Sequence, residues 1–170
     1  MTKRILRRVA LVGTVVAIGT LDTRGVVAQP GKGVDALGTI VGVWQSDTTN
    51  GVSAMSNCAW TPEHGAVLCE QRITMPDGEH RALSLFAFDP ATSHYVFYVL
   101  QKPGDPANPV ALAIDGTTWT YGGKEPSGDG KYYRTINDFA HSRSYTWRQE
   151  SSVNGRDWIA GAHGSSKRLR

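Results

Sequence analysis

Apolar and polar residues alternate in short runs along most of this chain, and Gly, Pro, Asn or Asp residues separate the runs. A period of two predicts half-buried strands, and those residue types favour tight turns. About nine or ten strands in simple succession are typical of an all-β barrel or sandwich. After a helical turn at Val34–Ile40, the predicted strands are Gly42–Ser46, Val52–Thr61, Ala66–Met75, Arg81–Phe88, His94–Leu100, Val110–Ile114, Thr117–Tyr121, Lys131–Phe139 and Arg143–Glu150, with Arg156–Ile159 and Gly164–Arg168 at the end.

The two cysteines lie on the first predicted hairpin. Two apolar runs flank a Pro-Glu-His-Gly turn, which indicates a loop of four residues closed by Thr61 and Ala66. That register places Cys58 directly opposite Cys69. Facing Cα atoms of antiparallel strands lie about 4.5–5.5 Å apart, which is within the range that a disulfide accepts.

The same register divides the hairpin into two faces. The face that carries the cysteines also carries Trp60, Val67 and Ile73, and we expect it to face the core. Glu70 and Arg72 then face solvent. The strands Arg81–Phe88 and His94–Leu100 are apolar on both faces, which predicts either an outer cover or a dimer contact.

The first 28 residues have the features of a secretory signal peptide. A basic start precedes the apolar run Val9–Ile18, and Val26-Val27-Ala28 offers small residues before a cut. The apolar run is too short for a comfortable membrane span. We therefore predict a cleaved leader at 1–28, a flexible mature N-terminus at 29–36 and a β-barrel domain at 37–170, in a periplasmic or secreted protein. A retained anchor and an apolar element of the fold are the alternatives.

The positive charge of the chain belongs largely to this leader. Residues 1–28 hold five of the 18 basic residues and one of the 15 acidic ones, so the remainder has a net charge near −1. The balance therefore gives no sign of a nucleic-acid partner.

Export to an oxidising compartment allows Cys58 and Cys69 to form a disulfide. A metal site or a catalytic thiol are the alternatives, and neither is supported by a Cys-x-x-Cys or nearby His-Cys pattern. The five histidines show no ligand spacing, so we expect no metal or other cofactor.

No sequence motif indicates a catalytic residue. A Gly-x-Ser-x-Gly elbow is absent, and Gly122-Gly123-Lys124 lacks the strand-to-helix context of a phosphate loop. A scattered Ser-His-Asp triad stays open, but the sequence favours a protein that is not an enzyme.

Aromatic residues recur on alternate predicted strands and either fill the interior or line a small cavity. Arg134 joins this set, because a turn in which Phe139 faces Ser142 places it opposite Trp147. An inward Arg must stack, bind a ligand carboxylate or pair internally with an acceptor; a slipped register would instead expose it. The candidate ligand-binding residues are Trp60, Trp119, Tyr121, Arg134, Tyr145 and Trp147; Trp158 belongs to the same aromatic set.

Several short stretches resemble the bacterial domain-of-unknown-function 1579 family. The matching pieces are Gly42-Val43-Trp44, the hairpin from Ser56 to Cys69, Asp89–Tyr95, Trp119-Thr120-Tyr121, Tyr133-Arg134, and Tyr145-Thr146-Trp147 through Ser151–Trp158. The resemblance covers nearly all of Leu37–Arg168 and departs at the Val153-Asn154 turn and the short Ala140-His141 connection. It implies an antiparallel up-and-down lipocalin-like (calycin) barrel and leaves the activity open.

Three functions remain compatible with the sequence. The first is an exported barrel that binds a small, mostly apolar ligand. The second is an enzyme that acts on a hydrophobic substrate in the barrel mouth, with Arg134 and a nearby titratable base. The third is a non-catalytic envelope protein that works through protein contacts, and a homodimer is open as well.

Overall fold

The described part of the chain forms a closed antiparallel barrel of ten strands. The computed structural model describes residues 33–48, 51–100 and 109–170. A 3-10 helix, Gly33–Ile40, precedes the barrel. The strands are β1 Gly42–Thr48, β2 Ser53–Trp60, β3 Ala66–Met75, β4 Gly78–Asp89, β5 His94–Leu100, β6 Pro109–Asp115, β7 Thr118–Gly122, β8 Tyr132–His141, β9 Ser144–Ser152 and β10 Ile159–Arg168.

Each strand pairs with its neighbours in sequence, and β1 pairs with β10 to close the barrel. The barrel predicted from the pattern of short strands is therefore confirmed, with the up-and-down strand order that the family resemblance implies, and the sandwich alternative is wrong. One boundary prediction is also wrong. The final segments form a single strand, Ile159–Arg168, with an irregularity between Ala160 and His163, and Arg156 lies in the preceding loop. Glycine at 161 and 164 weakens the alternating pattern there, which hid the continuity of the strand.

The hairpin register predicted from the loop is confirmed. Cys58 faces Cys69 and Trp60 faces Val67, and the two sulfurs form a disulfide. Thr61 N donates to the Ala66 carbonyl at 2.9 Å, which closes the loop where the sequence predicts it. Both half-cystines are buried, at 3% and 1% exposed, so this face does point to the core.

The 3-10 helix closes one end of the barrel. Its apolar residues Ala36, Leu37 and Ile40 are buried, since a spacing of three and four residues brings them to one side. Trp44 Nε1 donates to the Ile40 carbonyl at 2.7 Å, and Arg168 donates to the Thr39 carbonyl at 2.6 Å. β1 and β10 thus hold the last carbonyls of the helix, which would otherwise lack partners.

The core is formed by the 3-10 helix and by inward residues of β1 to β9. Trp119 and Val67 are fully buried, and Phe139 packs between the rings of Trp119 and Tyr145 at 5.0 and 4.6 Å. The core cluster contains Leu37, Ile40, Trp44, Cys58, Val67, Cys69, Phe86, Leu112, Trp119, Tyr121 and Phe139. Aromatic rings at these separations stabilise one another through edge-to-face and tilted contacts.

Some of the predictions concern residues outside the described ranges. The leader at 1–28 and residues 29–32 of the predicted mature N-terminus belong to this group, as does the loop at 101–108. Within the described ranges, none of the helices has the length and apolar character that a membrane crossing requires.

Candidate functional site

The barrel is open at the end opposite the 3-10 helix, where β7 runs into the loop before β8. A cavity of about 460 Å³ lies in this mouth. Its walls combine residues of β5 to β9 with the glycine-rich turn after β7. The residues that line it are Phe97, Pro109, Val110, Ala111, Tyr121, Gly122, Gly123, Lys124, Glu125, Ser127, Tyr133, Arg134, Thr135, Gln149 and Glu150.

A second cavity, of about 170 Å³, lies deeper inside the barrel. It shares Phe97, Tyr121 and Thr135 with the mouth, so the two cavities adjoin. Its floor is formed by Ile40, the last residue of the closing helix, and by Trp44 of β1. The full lining is Ile40, Trp44, Ser56, Cys58, Cys69, Gln71, Phe86, Phe97, Tyr121, Thr135, Asn137 and Tyr145.

Three aromatic rings form one wall between the mouth and the inner cavity. The Phe97 ring lies 4.8 Å from Phe86 and 5.1 Å from Tyr121, and Phe86 lies 6.2 Å from Tyr121. Each ring touches the other two, so their positions are mutually supported. The wall is therefore a rigid apolar surface against which a flat molecule can pack.

Hydrogen-bonded polar side chains form another part of the inner wall. Gln71 donates from its amide nitrogen to the Ser56 hydroxyl at 3.4 Å and accepts from the Ser84 hydroxyl at 3.3 Å. Asn137 donates to the Tyr121 hydroxyl at 3.2 Å. Such pairs satisfy groups that would be costly to bury alone, and they place amide and hydroxyl groups beside the cavity.

The tyrosines of the inner cavity are held in their neutral form. Burial raises the pKa of Tyr121 well above its ordinary value, with a smaller contribution from Tyr145. Burial also raises the pKa of Tyr145, and hydrogen bonds with Ser166 and Ser46 partly offset this increase. Low-dielectric surroundings disfavour the phenolate.

The predicted placement of Arg134 is wrong. Arg134 lies opposite Glu150, and Trp147 lies opposite Asn137. Arg134 therefore faces outward, because the true pairing differs from the predicted one by an odd number of residues. The turn before β9 caused the error, since β8 continues to His141 and pairs irregularly after Asp138. The alternative of a slipped register is the one that the structure shows, and the outward Arg134 pairs with the carboxylate of Glu150 at the rim.

Arg134 lies at the rim of the mouth, between an acid and an aromatic ring. Its nitrogens lie 2.6 Å from Glu150, and its guanidinium carbon lies 3.9 Å from the centre of the Trp158 ring. Trp158 lies in the loop before β10 and not in the barrel interior, so its place in the interior aromatic set is a further correction. Arg134, Lys124 and Trp158 also border an outer groove of about 230 Å³.

Glu150 is paired with two guanidinium groups. Hydrogen bonds from Arg148 and then Arg134, together with their positive charges, hold the pKa of Glu150 below its ordinary value. A general base works best with a pKa near the working pH. The arrangement therefore favours a structural ion pair at the rim over a proton-transfer site.

The other predicted residues divide between the cavity and the core. Tyr121 and Tyr145 both line the inner cavity. Trp119 is fully buried among Phe86 and Phe139, and its indole N–H has no hydrogen-bond partner within the described part of the chain.

The remaining two tryptophans are Trp60, at the end of β2, and Trp147, within β9. Trp60 stacks on His64 at 5.4 Å and lies against Gly38 of the closing helix. Trp147 packs on Gly164, where a Cβ would come within 2.8 Å of its ring. Neither borders the mouth or the inner cavity.

The sequence reasoning missed several residues that line the cavities, among them Phe97 and Thr135, which border both. Phe97 was hidden because β5 is apolar on both faces. Thr135, Asn137 and Gln71 are polar residues at inward positions, and only the correct register separates them from solvent-facing ones. A polar residue at an inward position was the signal that could have identified them.

No group of three or more potential metal-binding side chains occurs among the residues of the described ranges.

No protein-family model matches the chain, and no curated protein matches it. Among solved structures, the chain is similar to a de novo designed fluorescence-activating β-barrel. The two are 13% identical over 79% of this chain and 97% of the designed one, with a TM-score of 0.37. This is a similarity of barrel fold alone.

Proposed function

We propose that this protein binds a small, mostly apolar ligand inside its barrel, and that the ligand enters through the mouth at the end of β7. The observation that carries the proposal is the shared wall of Phe97, Tyr121 and Thr135. A mouth of about 460 Å³ adjoins an inner cavity of about 170 Å³ through these residues.

The size and lining of the cavities support a ligand rather than a packing defect. Protein interiors leave few voids larger than a water molecule, whereas ligand sites commonly measure about 300–1,000 Å³ and combine apolar walls with a few polar groups. The mouth has a volume in this range. The inner cavity is smaller but has the mixed lining, with Phe86 and Phe97 among its apolar residues and Gln71 and Asn137 among its polar ones.

Binding of N-phenyl-1-naphthylamine, a neutral dye whose fluorescence rises in apolar surroundings, tests the proposal. We expect saturable enhancement with the folded protein. Val110→Trp places a large ring in the mouth and should weaken dye binding about tenfold or more, which corresponds to about 1.4 kcal/mol.

The matched control is Ala113→Trp, which adds the same ring on the outer face of the same strand. Ala113 borders the outer groove and not the mouth. The Ala113→Trp variant should therefore bind the dye with the affinity of the wild type. The absence of saturable dye binding, or equal losses in both variants, would remove the proposal.

A second candidate function, contact with another protein or a second copy of the chain, is supported by the outer face of β3 and β4. Leu68 and Leu83 are 40% and 43% exposed there, at neighbouring positions of the two paired strands, and a contiguous apolar surface is typical of a contact site. Sedimentation analysis of the wild type and of Leu83→Lys would show whether this face mediates association. An unchanged monomer in both would exclude self-association.

The remaining sequence-based predictions belong to the same proposal. An exported protein in an oxidising compartment is consistent with the disulfide between Cys58 and Cys69. Membership of the domain-of-unknown-function 1579 family stays a prediction from the short matching stretches. Secretion of the full chain, followed by N-terminal sequencing of the mature protein, would test both the leader and the proposed cut after Ala28.

A further inference from the structure

Charge in the candidate site is confined to the rim. Lys124, Glu125, Arg134 and Glu150 line the mouth, whereas the lining of the inner cavity contains no charged side chain within the described residues. The cavity walls are therefore polar in one arc and apolar elsewhere, but they offer no counter-ion. An ion placed there would lose its hydration without gaining a partner of opposite charge.

The protein's own ionisable groups at this cavity follow the same rule. Tyr121 is buried and hydrogen-bonded to Asn137, and burial raises its pKa. Tyr145 also has its pKa raised, with burial as the main cause. The surroundings that keep these phenols neutral would act in the same way on a ligand.

The polar arc consists of Gln71, Thr135 and Asn137, and these side chains retain hydrogen-bonding capacity for a ligand. Gln71 gives one amide hydrogen to Ser56 and has a second on the same nitrogen. Asn137 uses its nitrogen toward Tyr121 and carries an acceptor oxygen on the same amide. Thr135 lines both cavities, and its hydroxyl makes no hydrogen bond to the residues of the described ranges.

The opposite wall is aromatic. Phe86, Phe97 and Tyr121 contact one another at 4.8 to 6.2 Å between ring centres. A ring packed against them gains both apolar burial and aromatic contact. A flat molecule that lies on this wall brings its edge toward the amide and hydroxyl groups of the polar arc.

We infer that the ligand of the inner cavity is an electrically neutral, ring-containing molecule with hydrogen-bonding groups, and that carboxylates and amines of the same size are rejected. The inference rests on the proposed function and adds its chemical class. Thr135 and Asn137 determine the preference for a hydroxyl-bearing ligand, and Phe86 and Phe97 hold its ring.

Four probes with one naphthalene ring test the inference with the wild-type protein at pH 7.5: 2-naphthalenemethanol, 2-methylnaphthalene, 2-naphthoate and 2-naphthylmethylammonium. Calorimetric titration should rank the alcohol first. The hydrocarbon should bind about 3–10-fold more weakly, the equivalent of one hydrogen bond. Both ions should bind at least about 100-fold more weakly, because neither finds a counter-ion.

Two variants locate the preference. Thr135→Val keeps the side-chain shape, and Asn137→Leu removes the amide; each should reduce the advantage of the alcohol over the hydrocarbon by about threefold or more. Thr120→Val is the matched control, because it makes the same change on the outer face of β7, where Thr120 borders the outer groove. It should leave the ranking unchanged.

The outcomes separate this inference from the proposed function. Binding of naphthoate or of the ammonium as tightly as the alcohol would overturn neutrality while leaving a ligand-binding barrel. Equal affinity for the alcohol and the hydrocarbon, or an advantage that survives both variants, would overturn the role of the polar arc. If no naphthalene probe binds while N-phenyl-1-naphthylamine does, the inference falls and the proposed function stands; if the dye also fails to bind, both fall.

Discussion

The guanidinium carbon of Arg168 lies 4.6 Å from the centre of the Trp44 ring, across the seam where the first and last strands meet. The two residues face each other in the β1–β10 pairing and both donate to the end of the 3-10 helix. One pair therefore joins the barrel seam to the element that closes its end. The contact places an aromatic floor under the inner cavity, because Trp44 lines it.

Replacing Arg168 by Ala should destabilise the protein by about 2–3 kcal/mol, since it removes a cation–π contact and a hydrogen bond to the helix. The measurement is the free energy of unfolding in urea. Arg156→Ala, in the exposed loop before β10, is the control and should change stability by less than about 0.5 kcal/mol. If Arg168→Ala lowers the free energy of unfolding no more than Arg156→Ala does, the Arg168 contacts do not contribute to stability.

The disulfide should stabilise the barrel mainly through the unfolded chain. Cys58 and Cys69 are 11 residues apart in sequence, and a loop of that length corresponds to about 2–3 kcal/mol. The double variant Cys58→Ala, Cys69→Ala should therefore unfold at a lower urea concentration than the oxidised wild type. Reduced wild-type protein is the control and should resemble the double variant. A midpoint that is the same for all three would contradict the prediction.

The ion pair at the rim should make stability depend on pH. Arg148 and Arg134 lower the pKa of Glu150 in the folded state, so Glu150 contributes stability above its unfolded pKa, which is about 4.3. This contribution is lost as the pH falls through the lower, folded pKa. Wild-type protein should consequently lose more stability than Glu150→Gln between about pH 6 and pH 3.

Urea unfolding at a series of pH values measures this difference. Glu63→Gln, in the exposed turn between β2 and β3, controls for the removal of one acidic group. It should retain the wild-type pH dependence. If Glu150→Gln and the wild type lose stability in parallel as the pH falls, the ion pair does not contribute in the way the geometry suggests.

Local pattern was sufficient where the turn was correctly located and the pairing beyond it was regular. The hairpin around Pro62 joins two alternating strands through a loop of four residues, and the pairing of Cys58 with Cys69 followed from counting outward. A hairpin depends on neighbouring residues alone, so its information lies in a short stretch of chain. The same reasoning failed at the turn before β9, where an irregular pairing after Asp138 changed the count and reversed the face assigned to Arg134.

The sequence by itself determined the all-β class, most strand positions and the disulfide, because alternation and turn chemistry act over a few residues. Only the tertiary structure decided that β1 meets β10, that Trp44 and Arg168 share the seam, and that Phe97, Tyr121 and Thr135 border two adjoining cavities. Closure and cavity shape arise from contacts between strands far apart in the chain. Their geometry depends on all ten registers together, and one shift by an odd number of residues exchanges inside for outside.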